Sequence, residues 1–214
     1  MSSCPLCHHG VVPFYQDKHR QYVRCQQCEL VSVPASFHLD ALAEKAHYDC
    51  HDNDSPKKGY QQFLSRTLTP LLARIAPNAT GLDYGCGEGA VLSLMAESQG
   101  VRVANYDLFY HPDPHVLKRQ YDFVCLTEVI EHIADAQALI AQLSQLLVPG
   151  GILAVMTKRA SSLDAFIPWY YKNDPTHINF YSTATFEWLA VTLGWRLEVF
   201  DNDVVFFYLP ESLA

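Results

Sequence analysis

The chain has 214 residues, 49% of them hydrophobic, 18% charged and 12% aromatic, which excludes disordered and fibrous classes and fits one domain plus a small appendage. A formal net charge of -8 argues against a broad basic surface for nucleic acid. No apolar run approaches the roughly 18 residues a membrane helix needs. The opening MSSCPLCHHG lacks a basic stretch followed by an apolar one, so the expectation is a cytoplasmic protein.

Residues 1–32 form the first unit. Cys4 and Cys7 stand in CPLC, Cys25 and Cys28 in CQQC, with seventeen residues between the pairs. The other three cysteines, Cys50, Cys86 and Cys125, are scattered. An odd count with two CxxC units and no leader points to metal rather than disulfides. The intervening VVPFYQDKHRQYVR reads as strand, turn, strand, which brings the two knuckles together. Four thiolates around one tetrahedral ion leave no open position, so the expectation is a structural zinc in a zinc ribbon. His8 and His9 adjoin Cys7 as alternative ligands. A unit this short builds no core of its own, so the metal would supply its folding energy. Lys18, Arg20 and Arg24 against Asp17 and Glu29 give too little charge for nucleic-acid docking.

Residues 33–59 read as a linker with a short helix (LDALAEKAHY) and a polar, acidic stretch (DCHDNDSPKKG). From Tyr60 to Ile75 apolar positions recur at helical spacing, and Pro77 is a stop. Strand patterns follow at 81–84, 101–106, 121–126 and 151–156, and helical patterns at about 88–98, 135–147 and 183–193. WRLEVF and VVFFYL, separated by Asp201, Asn202 and Asp203, predict a closing β-hairpin. Alternating elements predict an α/β fold: a mostly parallel, Rossmann-like sheet with helices on both faces and one antiparallel hairpin.

The chemistry concentrates after the first of these strands. Asp83-Tyr84-Gly85-Cys86-Gly87-Glu88-Gly89-Ala90 is a glycine-rich turn that opens a helix, where the backbone can approach a ligand. Its GxGxxA spacing also fits a dinucleotide site. A pyrophosphate at that helix N-terminus would, however, meet the carboxylates of Asp83 and Glu88. S-adenosylmethionine carries a sulfonium and an ammonium and no phosphate, so the acidic turn suits it. Asp107, which ends the next strand, can take both ribose hydroxyls of an adenosine.

With LDYGCGEG, NYD at 105–107, YDFVCLTEVIEH at 121–132 and LVPGGILAVMTK at 147–158, residues 60–214 resemble the class I S-adenosylmethionine-dependent methyltransferases. The resemblance implies a seven-strand sheet with the last hairpin reversed. It also implies that Asp83, Gly85, Cys86, Gly87 and Gly89 hold the methionine end, that Asp107 holds the ribose, and that Leu108 and Phe109 flank the adenine. Only thirteen residues lie between Asp107 and Tyr121, so the helix and third strand usual there must be shortened.

In Glu128-Val129-Ile130-Glu131-His132, one helical turn would place residues 128, 131 and 132 on one face, and His177 in DPTH would reach the same edge of the sheet. EVIEH plus a later histidine is similar to small-RNA terminal 2′-O-methyltransferases and to ubiquinone-pathway O-methyltransferases. There the matching residues bind a divalent ion that engages a substrate hydroxyl. The resemblance therefore implies a second ion at Glu128, Glu131, His132 and His177, with Glu131, His132 and His177 catalytic. Without a metal, His132 or His177 could act as general base. Glu128 could equally line the cofactor pocket. The stretch Phe166–Tyr171 could wall an apolar or aromatic substrate, and Tyr60 and Phe63 could cap the cofactor, although core packing is the default for these rings. The leading expectation is O-methylation of a small molecule. Its alternatives are methylation of RNA or protein with the ribbon for docking, and a non-catalytic cofactor-binding scaffold.

Overall fold

The computed structural model describes residues 3–49, 58–160 and 162–211. The acidic end of the linker, with Cys50, lies outside the described residues.

The N-terminal hairpin is β1 (Val11–Gln16) and β2 (Gln21–Cys25), followed by the short β3 (Val31–Ser32). Helix α1 (Ala41–Tyr48) starts where the Asp40 carboxylate accepts from the Ala43 N–H, and it buries none of its residues. Helix α2 (Lys58–Leu72) carries Leu64, Leu68 and Leu71 on its buried face. It ends at Leu72, short of the Ile75 that periodicity predicts. Pro70, which cannot continue the hydrogen-bond ladder, sits in its last turn.

The units β4 (Thr80–Tyr84), α3 (Val91–Glu97), β5 (Arg102–Tyr106), β6 (Tyr121–Thr127), α4 (Ala136–Leu146) and β7 (Leu147–Met156) then alternate. The chain continues through α5 (Leu163–Phe166), β8 (Asn179–Phe180) and α6 (Thr183–Leu193), the last opened by a capping box at Ser182 and Thr185. The closing hairpin is β9 (Arg196–Phe200) and β10 (Val204–Tyr208).

The main sheet runs β5-β4-β6-β7-β10-β9, parallel from β5 to β7, with β10 antiparallel to both neighbours. Its strands are apolar on both faces, as a covered parallel sheet demands. Along β6, Val124 and Leu126 pack with α4 and α6, whereas Phe123 and Cys125 pack with α2 and α3. The same alternation along β7 and β10 gives a helix–sheet–helix sandwich.

The sheet has six strands, not the seven implied by the resemblance. The thirteen residues after Asp107 hold only a 3-10 turn at Val116–Lys118, too little chain for a helix and a strand, so β5 is an edge. The chain leaves β4 for β5 on one side and returns to β6 on the other. This reversal of direction opens a crevice at the C-terminal ends of the strands.

The N-terminal hairpin does not stand apart. β3 pairs antiparallel with β8, Val31 opposite Phe180 and Ser32 opposite Asn179, giving a second sheet β1-β2-β3-β8. Tyr22, Val31 and Val33 share a core with Phe166, Tyr171, Ile178 and Phe180. The first thirty residues thus borrow apolar cover from the segment that follows β7.

Candidate active site

A cleft of about 860 Å³ occupies that crevice. The glycine turn forms its floor. Gly85 and Gly87 take left-handed backbone angles, φ 77° and 66°, that side chains resist. A Cβ on Gly85 would lie 2.5 Å from the Val129 side chain. The N–H groups of Gly85 and Cys86 both donate to the Tyr106 carbonyl, at 2.7 and 3.1 Å, tying the turn to the end of β5. Gly85, Cys86, Gly87 and Glu88 line the cleft, whereas Gly89 lies outside the lining.

Asp107 ends β5 with its carboxylate fixed by three backbone donors: Gly87 N–H on Oδ2 at 3.1 Å, and Phe109 and Tyr110 N–H on Oδ1 at 2.9 and 3.1 Å. Leu108 and Phe109 line the cleft beside it, Leu108 being 67% exposed. Asp83 is fully buried behind the lining, and its Oδ1 has no hydrogen-bond partner. Burial, with the Asp107 charge adding, pushes its carboxyl up to about 7. A carboxylate so placed is costly unless a cation joins it.

The acidic pair lies across the cleft. Glu128 takes φ 56°, and the 3-10 turn Ile130–His132 follows it, so the expected helical face is replaced by a tight bend. The Tyr171 hydroxyl bridges Glu128 Oε2, at 3.1 Å, and Glu131 Oε1. Burial raises Glu128 to about 8, with Glu131 adding, and raises Glu131 to about 7. Glu128 Oε1 and Glu131 Oε2 are buried without hydrogen-bond partners.

Ligand atoms of Glu131, His132 and His177 lie within 4.8 Å of one another. Glu128 stands outside this group, one hydroxyl away. His132 Nδ1 is 3.2 Å from the Thr176 carbonyl, and His177 Nδ1 is 2.8 Å from the Tyr171 carbonyl. A carbonyl only accepts, so each Nδ1 carries a proton and Nε2 is left as the nitrogen that can ligate. Imidazoles anchored in this way are the usual metal-binding form. Burial, reinforced by His132, lowers His177 to about 4, so it is neutral near pH 7. A carboxylate with an orphaned oxygen, on Glu131, and two oriented imidazoles suit a divalent cation.

The walls are aromatic. Tyr60, Phe63, Tyr170 and Tyr171 line the cleft. Helix α1 spans its mouth: the Tyr48 ring meets Phe109 at 5.9 Å and His132 at 5.4 Å, the Tyr110 hydroxyl donates to Asp49 at 2.8 Å, and His47 lies 3.2 Å from Asp174. Sequence reading missed Tyr48 and Lys158, which lines the cleft beside Tyr170. Tyr48 lies on the linker helix, and Lys158 closes the LVPGGILAVMTK stretch, whose pattern says nothing of that side chain.

The four cysteines converge as their spacing predicts. Sulfurs lie 3.5 Å apart for Cys4–Cys28, 3.4 Å for Cys7–Cys25 and 3.5 Å for Cys7–Cys28, too far for disulfides. Zn–S bonds of about 2.3 Å give tetrahedral edges of roughly 3.8 Å. Backbone N–H groups of Leu6 and Gln27 point at Cys4 and Cys25 sulfurs, both at 3.4 Å. The contact with Cys28 drives the Cys4 thiol down and Cys28 up. His8 and Glu29, each following its knuckle, take left-handed angles. The His9 ring turns back onto the Cys7 carbonyl.

Residues 56–199, about two thirds of the chain, match the family described as Methyltransferase domain. The chain is similar to the ubiquinone biosynthesis O-methyltransferases of Escherichia fergusonii (36% identity over 86 residues, 39% of this chain and 35% of that protein) and Shewanella pealeana (34% over 93 residues, 42% and 38%). It spans little more than a third of the length of these curated relatives. Among solved structures, it is similar to the 1,6-didemethyltoxoflavin-N1-methyltransferase of Burkholderia thailandensis, crystallised with 1,6-didemethyltoxoflavin and S-adenosylhomocysteine (TM-score 0.53, 17% identity, 92% of this chain and 99% of that one). It is also similar to a SAM-dependent methyltransferase from Archaeoglobus fulgidus (TM-score 0.52, 20% identity, 66% and 72%). At these identities the shared property is the fold.

Proposed function

The chain belongs to the methyltransferase-domain family, and from that premise we propose that it transfers the methyl group of S-adenosylmethionine to a hydroxyl of a small molecule. The convergence of Glu131, fully buried, with His132 and His177, which line the same cleft as the glycine turn and Asp107, carries this reading. The O-methyltransferase activity of the curated relatives supports it.

S-adenosylmethionine supplies an electrophilic methyl on a positive sulfur, and a divalent ion would lower the pKa of the accepting hydroxyl. The chain's own residues do the rest. Asp83 and the glycine turn would receive the cationic methionine end, and Asp107, already oriented by three N–H groups, the ribose. Leu108 and Phe109 would flank the adenine. Glu131, His132 and His177 would hold the ion, and Glu128, through the Tyr171 hydroxyl, would keep Glu131 aimed. Tyr48, Tyr170 and the ring of Tyr171 would exclude water and orient a planar acceptor, so most of the acceleration comes from positioning. Cys4, Cys7, Cys25 and Cys28 would hold a structural zinc.

Manganese tests the site, because hard Mn(II) prefers carboxylate and imidazole to thiolate. We expect about one Mn(II) per chain by electron paramagnetic resonance, weakened at least tenfold in Glu131→Gln and in His177→Ala. Methylation of a panel of phenols should stop on chelation and return with Mn(II). Absence of Mn(II) binding together with chelator-insensitive methylation would overturn the metal-assisted reading.

A further inference from the structure

The tip of the β1–β2 hairpin reaches into the loop that carries Tyr171 and His177. Asp17 fixes that tip: its Oδ1 accepts from the His19 and Arg20 N–H groups, both at 2.8 Å. Arg20 is only 8% exposed, and its guanidinium donates to four backbone carbonyls of that loop. One terminal nitrogen bonds Pro175 O at 3.2 Å and His177 O at 3.0 Å; the other bonds Lys172 O and Asp174 O, the latter at 2.9 Å. Lys172 O also accepts from the Tyr22 hydroxyl at 3.4 Å.

The loop has no regular structure beyond a 3-10 turn at Tyr170–Asn173, so its carbonyls lack a ladder to satisfy them. The carbonyls of 172, 174, 175 and 177 accept from Arg20, that of 174 also from the His177 N–H at 3.3 Å. Those of 171 and 176, interleaved with them, hold the protonated nitrogens of His177 and His132. One guanidinium therefore sets the loop whose carbonyls orient both imidazoles. A planar fork with five donors can do this; a single ammonium cannot.

We propose that the cysteine-bearing hairpin is a working part of the active site, in which Arg20 is a positioning residue for His132 and His177. The cysteine cluster serves the same end. Cys25 closes the strand that Arg20 precedes, so a metal on the four sulfurs anchors the hairpin at its base while Arg20 holds the loop at its tip. The role given to the two histidines rests on the proposed function; the hold on the loop does not.

The test compares wild type, Arg20→Ala and Arg20→Lys in the full chain. Hydrogen exchange of residues 172–178 should speed up at least tenfold in Arg20→Ala and by less in Arg20→Lys, with exchange in β4, β6 and β7 unchanged. Affinity for S-adenosylhomocysteine should stay within twofold of wild type, while Mn(II) affinity falls at least tenfold in the alanine variant and is partly restored by lysine. Unchanged exchange in 172–178 overturns the proposal. So does faster exchange throughout the main sheet with loss of S-adenosylhomocysteine binding, which would make Arg20 a general structural support. If wild type takes up no Mn(II), the metal-site reading fails, and exchange alone decides the hold on the loop.

Discussion

Replacing Asp83 with asparagine should make the ligand-free protein more stable and a poorer binder. The carboxyl is fully buried, its Oδ1 lacks a partner, and burial with the Asp107 charge raises it from 3.8 to about 7. The folded state thus holds this proton more tightly than the unfolded state does. Its contribution to stability is fully present below the unfolded value and is lost as pH rises through the folded one. A shift of about three units sets an upper bound of about 4 kcal/mol on the penalty at pH 8. Structural relaxation should leave about half of that. Asparagine carries no such penalty, so its melting temperature should exceed wild type by roughly 4–8 °C at pH 8, and the gap should close as pH falls toward 4. Scanning fluorimetry from pH 4 to 8.5 without ligand measures this. Calorimetry should show S-adenosylmethionine bound at least tenfold more weakly by the variant, with wild-type affinity rising between pH 6 and 8. A variant less stable than wild type at pH 8, or a gap independent of pH, would refute the buried-charge account. Unchanged affinity would remove Asp83 from the cofactor site.

Three further outcomes are expected. Gly81→Ala puts a Cβ 2.1 Å from the ring of fully buried Phe123 and should cost about 1–3 kcal/mol, read as a lower denaturation midpoint; an unchanged midpoint would show that this part of the sheet yields. Tyr171→Phe removes the hydroxyl shared by Glu128 and Glu131 and should cost about 1–3 kcal/mol and weaken Mn(II) binding, with S-adenosylhomocysteine affinity unchanged. Equal Mn(II) affinity in that variant would show that Glu131 needs no such support. Elemental analysis after extensive dialysis should find about one zinc per chain, lost in a Cys4→Ser, Cys28→Ser double variant; a metal-free wild type would dismiss the structural zinc.

The local elements were legible because their causes are local. Left-handed angles at Gly85 and Gly87, the short apolar strands and the twin CxxC knuckles each need only a few neighbouring residues. Even the six-strand sheet is foreshadowed by the thirteen residues left between Asp107 and Tyr121. Contacts between distant parts of the chain were not legible. Arg20 was countable only as a surface charge, yet it is buried against carbonyls more than 150 positions away. Tyr48, on a helix with no buried residue, reaches His132 because α1 crosses the cleft. The shared face expected of Glu128, Glu131 and His132 became a bend in which Tyr171 parts the two carboxylates, since left-handed backbone at Glu128 forbids a helix there. Spacing along the chain thus specified which groups this protein carries and which turns display them. Which groups meet was decided by the packing of β3 against β8 and of the hairpin tip against the loop, because burial and hydrogen bonding are satisfied through space, across separations that no short-range pattern encodes.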